Sequence, residues 1–231
     1  MSSRIALKGA VAGAVLLLAI PGVASAVTGS VAKPCVSHIP TKGSEPIVVT
    51  LAGGTPGADF QVAATIAGKG RGSAGSTTGT FDAAGNGTAA ITDVFPPSGS
   101  IDPIRGEPVA ISAMDFGAPG AVDTPIGATL VTNLALDVAL KPRRPSAKRT
   151  ITVSGTPFAG RQVYGFVVRG SGRKVLKRIS LGTADGCGYA RAKAVVAPKH
   201  YRHGNYRLYV NAGPTLNKDY ALGFGFRIYS Y

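Results

Sequence analysis

The chain repeats itself at long range. Ile47–Ile66, IVVTLAGGTPGADFQVAATI, and Thr150–Val168, TITVSGTPFAGRQVYGFVV, each read as a strand, a Gly-Thr-Pro break and a second strand. Setting Gly54-Thr55-Pro56 on Gly155-Thr156-Pro157 gives an offset of 101 residues. The likeness continues downstream. Gly79–Pro96 (GTFDAAGNGTAAITDVFP) matches Gly182–Pro198 (GTADGCGYARAKAVVAP) at an offset of 103, and Arg105–Ala113 lies opposite His203–Asn211 at 98. Solenoid repeats recur every ~20–50 residues. A period near one hundred suits one β-sandwich per repeat.

Everything else in the chain has to fit that frame. Gly 32 and Pro 16 are high counts for 231 residues, and tryptophan is absent. Short apolar runs separated by Gly, Pro, Ser and Asn, with no long amphipathic helical stretch, predict an all-β chain of two tandem sandwiches. The expected strands of the first are Ile47–Ala52, Phe60–Ala67, Gly87–Val94, Pro108–Ala113 and Leu130–Val138. Those of the second are Thr150–Ser154, Gln162–Arg169, Lys174–Leu181, Tyr189–Val196, Tyr206–Asn211 and Tyr220–Tyr229. Gly68–Gly79, GKGRGSAGSTTG, reads as a flexible low-complexity loop. Asp82–Gly87, DAAGNG, reads as a hairpin turn. Asp82 and Asn86 supply too few oxygens for a calcium loop.

The expected boundaries follow. Residues 1–26 form a secretory signal peptide: Arg4 and Lys8 at the start, apolar Val11–Ile20, then Ala24-Ser25-Ala26 at the cleavage site. The apolar run is short of the ~20 residues that span a bilayer, so no transmembrane segment is expected after cleavage. Residues 27–45 are an extended, Pro-punctuated lead-in, 46–140 the first immunoglobulin-like sandwich, 141–149 (KPRRPSAKR) a stiff basic linker, and 150–231 the second sandwich.

On these residues a resemblance can be stated. Pro34-Cys35 in the lead-in, SGTPFAG…VYGFVVRG (Ser154–Gly170), ISLGTADGCG (Ile179–Gly188) and Gly204–Arg207 resemble secreted actinobacterial proteins that carry tandem immunoglobulin-like domains. The resemblance implies an exported, non-enzymatic cell-surface or extracellular protein with a structural or interaction role. Its motifs are turn and strand punctuation, and the immunoglobulin Cys…Trp…Cys pin is missing.

Charge is unevenly spread. Residues 27–140 hold five Lys/Arg and nine Asp/Glu, whereas residues 141–231 hold eighteen and two. A second half so basic draws in polyanions. For an exported protein these are anionic cell-wall polymer, anionic lipid and, less favoured, nucleic acid; another surface protein is the remaining partner class. If Tyr189–Lys193 pairs with Arg207–Asn211, then Tyr189, Arg191, Lys193, Arg207 and Tyr209 share one solvent face and form the candidate polyanion-binding surface.

No catalytic set is visible: there is no GxSxG, and residues 141–231 offer only Asp185 and Asp219 to orient a base. No enzyme activity, cofactor or metal is expected, and His200 and His203 lack a third ligand nearby. The aromatic run Tyr220–Tyr231 allows an outer-membrane barrel, against which the first half has too few aromatics for girdles. Cys35 and Cys187, the two cysteines, are expected to form a disulfide in an exported chain. The ten or so residues from Cys35 to Pro46 can reach ~33–36 Å when extended, about the length of a sandwich, so the lead-in is expected to run back along the first domain to the Asp185–Gly188 turn.

Overall fold

Both Gly-Thr-Pro breaks close the same turn. In the computed structural model, which describes residues 26–39, 43–94, 106–139, 141, 146–172, 174–198 and 200–229, strand Ile47–Ala52 (β4) leads through Gly54-Thr55-Pro56 into Asp59–Ile66 (β5). Lys148–Ser154 (β11) leads in the same way through Thr156–Phe158, a 3-10 turn, into Gln162–Arg169 (β12). In each repeat an aspartate ties down the neighbouring turn. Asp82 Oδ1 accepts from the N–H groups of Ala84 and Asn86 at 2.9 and 2.8 Å. Asp185 Oδ1 accepts from those of Cys187 and Tyr189, both at 2.9 Å. The Asp82 carboxylate thus holds its own backbone, as Asx turns do.

The remaining strands follow the repeat. Around the first break lie Thr28–Val31 (β1), Cys35–Ile39 (β2), Gly43–Ser44 (β3), Gly75–Thr80 (β6), Gly87–Ile91 (β7), Glu107–Asp115 (β8) and Thr124–Asn133 (β9). Around the second lie Ala135–Val138 (β10), Val175–Thr183 (β13), Ala190–Val195 (β14), Gly204–Ala212 (β15) and Leu222–Ile228 (β16). The sheets run β1-β4-β7 and β3-β2-β9-β8-β5-β6 in the first half, β10-β11-β14 and β13-β12-β15-β16 in the second. Laid on each other, β1, β4 and β7 correspond to β10, β11 and β14, and β5, β6, β8 and β9 to β12, β13, β15 and β16. The chain is an all-β fold of face-to-face sheets.

Each half buries its own core. In the first, Val49 and Leu51 of β4 meet Phe60, Val62, Val109 and Ile111 from the opposite sheet. Phe60 and Phe81 pack with ring centroids 4.7 Å apart, over Gly54 and Gly87, where a Cβ would strike the rings at 2.2 and 2.6 Å. In the second, Ile151 and Val153 of β11 meet Val163, Val167, Leu208 and Val210. Burying a side chain of this size contributes roughly 1.5–3 kcal/mol.

The structure differs from the expected organisation in several places. The described residues of the lead-in join the sheets: β1 pairs antiparallel with β4, and β2 lies parallel to β9, Cys35 opposite Leu130 and His38 opposite Asn133. It therefore does not run back along the first half as a free extended arm. β10 and β11 pair antiparallel, Val138 opposite Ile151, and Lys148 and Arg149 of the expected linker 141–149 belong to β11. The strand expected over Leu130–Val138 is broken at Leu134, where the chain passes from β9 in one half to β10 in the other. The loop expected over Gly68–Gly79 ends in β6, whose backbone pairs with β5 through its Gly-Ser-Thr run. The aromatic C-terminal run forms β16, an edge strand of a four-stranded sheet. The expected signal peptide lies outside the described residues except for Ala26. Among the described residues no helix is long and apolar enough to cross a membrane.

Candidate functional site

Cys35 and Cys187 are bonded, with Cα atoms 5.6 Å apart across 152 residues of sequence. β2 carries Cys35 along the edge of the six-stranded sheet, and the Asp185 turn presents Cys187 to it. Polar contacts surround the bond. Ser37 Oγ accepts from the Thr156 N–H at 2.7 Å. The Glu45 carboxylate accepts from the Ser37 N–H at 3.1 Å and from the Thr156 hydroxyl at 2.8 Å. The Gly-Thr-Pro turn of the second repeat is thus seated on β2 of the first. In the first repeat the same threonine is used differently: Asp115 accepts from both the Thr55 N–H and hydroxyl, at 2.8 and 2.9 Å.

The expected polyanion face does not form as drawn. β14 pairs with β11, and β15 pairs with β12 and β16. Arg191 and Lys193 are exposed on the outside of the three-stranded sheet, with Tyr189 half-buried just before them. Arg207 and Tyr209 lie on the outside of the four-stranded sheet. The two groups sit on opposite faces of one sandwich. The cause is that β14 and β15, successive in sequence, belong to different sheets; Val196 and Ala197, which follow β14, are both buried.

The four-stranded sheet carries a fuller cationic face. Register puts Arg178, Phe166, Tyr209 and Gly223 in one cross-strand row, and Val168, Arg207 and Gly225 in the next. Phe166 and Val168 share these outward rows yet are only 2% and 0% exposed. The Arg178 guanidinium sits 5.5 Å from the Tyr164 ring centre, and the Lys218 ammonium 5.4 Å from that of Tyr209. Arg207 Nη1 donates to the Tyr209 hydroxyl at 3.5 Å. Arg178 Nη1 also donates to the Pro214 carbonyl at 3.4 Å, and Lys218 Nζ to those of Ser171 and Gly172 at 3.3 and 2.9 Å. Among the described residues the single ion pair is Arg71–Asp123, in the other half.

At the end of the face lies an open groove of about 500 Å³ between the Gly170-Ser171 turn, Asn205, Arg207, Gly225 and Arg227, with Tyr206 and Phe226 beneath. Those two rings stack at 5.7 Å, and Tyr206 stacks on Tyr201 at 5.3 Å. His200 meets Tyr201 edge-on, at 5.1 Å between ring centres. Among the described residues no group of three or more His, Cys, Asp or Glu gathers to hold a metal ion.

Tyr164, Phe166, Arg178, Lys218 and Arg227 were not among the residues expected from sequence. The alternation Leu222-Gly223-Phe224-Gly225-Phe226-Arg227 does carry the signal: apolar residues on one side, glycine and arginine on the other.

No protein-family model matches the chain, and no curated protein matches it. Solved structures overlap it loosely. The periplasmic chaperone SfaE is 10% identical, with 79% of this chain and 91% of that one covered and a TM-score of 0.31. A DUF3823 family protein from Bacteroides ovatus is 11% identical, with 87% and 97% covered and a TM-score of 0.26. CBD12 from CALX1.2 is 8% identical, with 81% and 82% covered and a TM-score of 0.29. Overlaps this loose carry nothing about what the chain does.

Proposed function

We propose that this is an exported, non-enzymatic interaction protein of the cell surface, built of two immunoglobulin-like units that meet at Leu134, whose outer four-stranded face holds an anionic wall polymer. The observation that carries the reading is the set Arg178, Arg207, Lys218 and Arg227 on one outer face, none of them in an ion pair among the described residues. Export is supported by the signal-like residues 1–26 together with the disulfide, since such bonds persist in oxidising compartments. The basic balance of residues 141–231 supplies the long-range attraction.

Co-sedimentation of the full chain with purified cell wall, at low and at high salt, tests this. Binding is expected at low salt and should fall steeply as salt rises. R178Q/R207Q should weaken it at least several-fold. R191Q/K193Q, which removes the same charge from the opposite face, should weaken it much less. Equal losses from the two pairs would reduce the reading to net charge alone, and no binding at low salt would end it.

A further inference from the structure

We propose that the groove at the β15–β16 end of this face is a subsite for one anionic sugar residue: a six-membered ring bearing a phosphate or a carboxylate. The inference deepens the polymer-binding reading and rests on it. Three observations carry it. The first is size, since an open groove of about 500 Å³ lies within the ~300–1,000 Å³ range of small-molecule sites.

The second is the donor set. Arg207 and Arg227 both line the groove, and the register sets Arg207 opposite Gly225 and Asn205 opposite Arg227, so the two arginines are diagonal neighbours. Each guanidinium is propped by a ring, Arg207 by the Tyr209 hydroxyl at 3.5 Å and Arg227 by Tyr229 at 5.4 Å. The Tyr209 and Tyr229 props lie toward opposite ends of the paired strands, so the two forks are separate, and either one suits an oxyanion, which arginine binds through paired N–H donors. Asn205 and Ser171, both exposed on the wall, supply the neutral hydrogen bonds a sugar hydroxyl needs. Tyr229, 66% exposed, leaves a ring face in solvent beside Arg227.

The third is Gly225. It sits outward in an edge strand, and a Cβ built there meets no atom within 4 Å. Neither packing nor backbone angle requires glycine at this position, and glycine weakens a strand interior. What its absent side chain does is keep the groove floor clear. A ring can then lie on the backbone of β16 while its anionic group reaches one of the arginines.

Titration of the full chain with glucose 1-phosphate, glucuronate and inorganic phosphate at low ionic strength, followed by NMR shifts or calorimetry, tests the assignment. At least one of the two sugar probes should bind saturably at one site, about fivefold or more tighter than inorganic phosphate, and which one does so names the anion. R227Q should weaken that sugar about tenfold, or about 1.4 kcal/mol. G225L, which fills the floor without changing charge, should do the same. The melting curve of each variant reports its fold, and R227Q serves if G225L does not fold. Equal affinity for the sugars and inorganic phosphate overturns the proposal, as does unchanged sugar binding by G225L or R227Q. If no probe saturates while wall still sediments with the chain, the subsite falls and the polymer reading stands; if a sugar saturates and wall does not sediment, the reverse holds.

Discussion

Thr156 and Glu45 meet across the two halves of the molecule: the threonine hydroxyl donates to the glutamate carboxylate at 2.8 Å, over 111 residues of sequence. The same carboxylate oxygen holds the Ser37 N–H, and Ser37 Oγ holds the Thr156 N–H. A closed ring of three hydrogen bonds therefore seats one repeat on the other. Removing Glu45 leaves the Ser37 N–H and the Thr156 hydroxyl without this acceptor in a partly buried place.

Glu45→Ala should accordingly lower stability by about 1–3 kcal/mol, the usual cost of stranding such groups. Glu45→Gln, which keeps an acceptor oxygen, should cost less. Urea unfolding of the oxidised protein measures both, and equal effects would show that the charge matters more than the acceptor.

The disulfide closes a loop over the whole first core. In the chain-entropy account a loop of that length contributes up to about 5 kcal/mol. Cys35→Ser/Cys187→Ser is expected to melt well below the parent and to widen the distribution of angles between the halves, read by small-angle scattering. Mass measurement after alkylation under denaturing, non-reducing conditions should find no free thiol in the parent.

Asp115 makes the first half sensitive to acid. Burial by itself raises its pKa; the N–H groups of Thr55 and Gly117 and the Thr55 hydroxyl, all donating to the carboxylate, outweigh this and hold it below the ordinary 3.8. A carboxyl depressed on folding contributes stability that is present above its unfolded value and is lost as pH falls through the folded one. Unfolding free energy should therefore drop below about pH 4. Asp115→Asn should be less stable at neutral pH, with a flatter decline in acid. An unchanged acid limb in that variant would assign the decline to other carboxylates.

Gly85 and Gly188 occupy one position in the two repeats. Both are left-handed, with φ of 76° and 83°, and a Cβ would lie 2.3 Å from the Gly54 carbonyl oxygen in one and 1.8 Å from that of Gly155 in the other. Alanine there costs roughly 1–2 kcal/mol for the backbone alone and more for the contact. Gly85→Ala and Gly188→Ala should both be clearly destabilised in thermal melts. Gly188→Ala should in addition slow formation of the Cys35–Cys187 bond, since it disturbs the turn that presents Cys187.

Much of the fold was legible because turn chemistry is local. Gly-Thr-Pro and the Asp-capped turns announce themselves in a few residues, and their spacing shows the repeat. The cysteine pair was legible by elimination. Pairing between distant strands was not. Alternation told which residues of Tyr189–Val196 share a face, but period two is blind to which sheet a strand joins. Arg191 was thus placed beside Arg207 on the assumption that successive strands pair. The buried Val196-Ala197 at the start of the connection marks the crossing between sheets. β2 was missed because it is five residues long, polar in the middle at Ser37 and His38, and finds its parallel partner some ninety residues downstream.

The bond between Cys35 and Cys187 also has a mechanical meaning. Pulled from positions outside the two cysteines, the chain passes its load from β2 straight to the Asp185 turn, bypassing every strand between. The 152 residues of the loop, roughly 500 Å of contour if drawn out, cannot lengthen until the bond is reduced. What remains to yield is the stretch before Cys35, with β1, and the β14–β16 end of the second half, so under tension those strands bear the force while the rest of the first core stays slack.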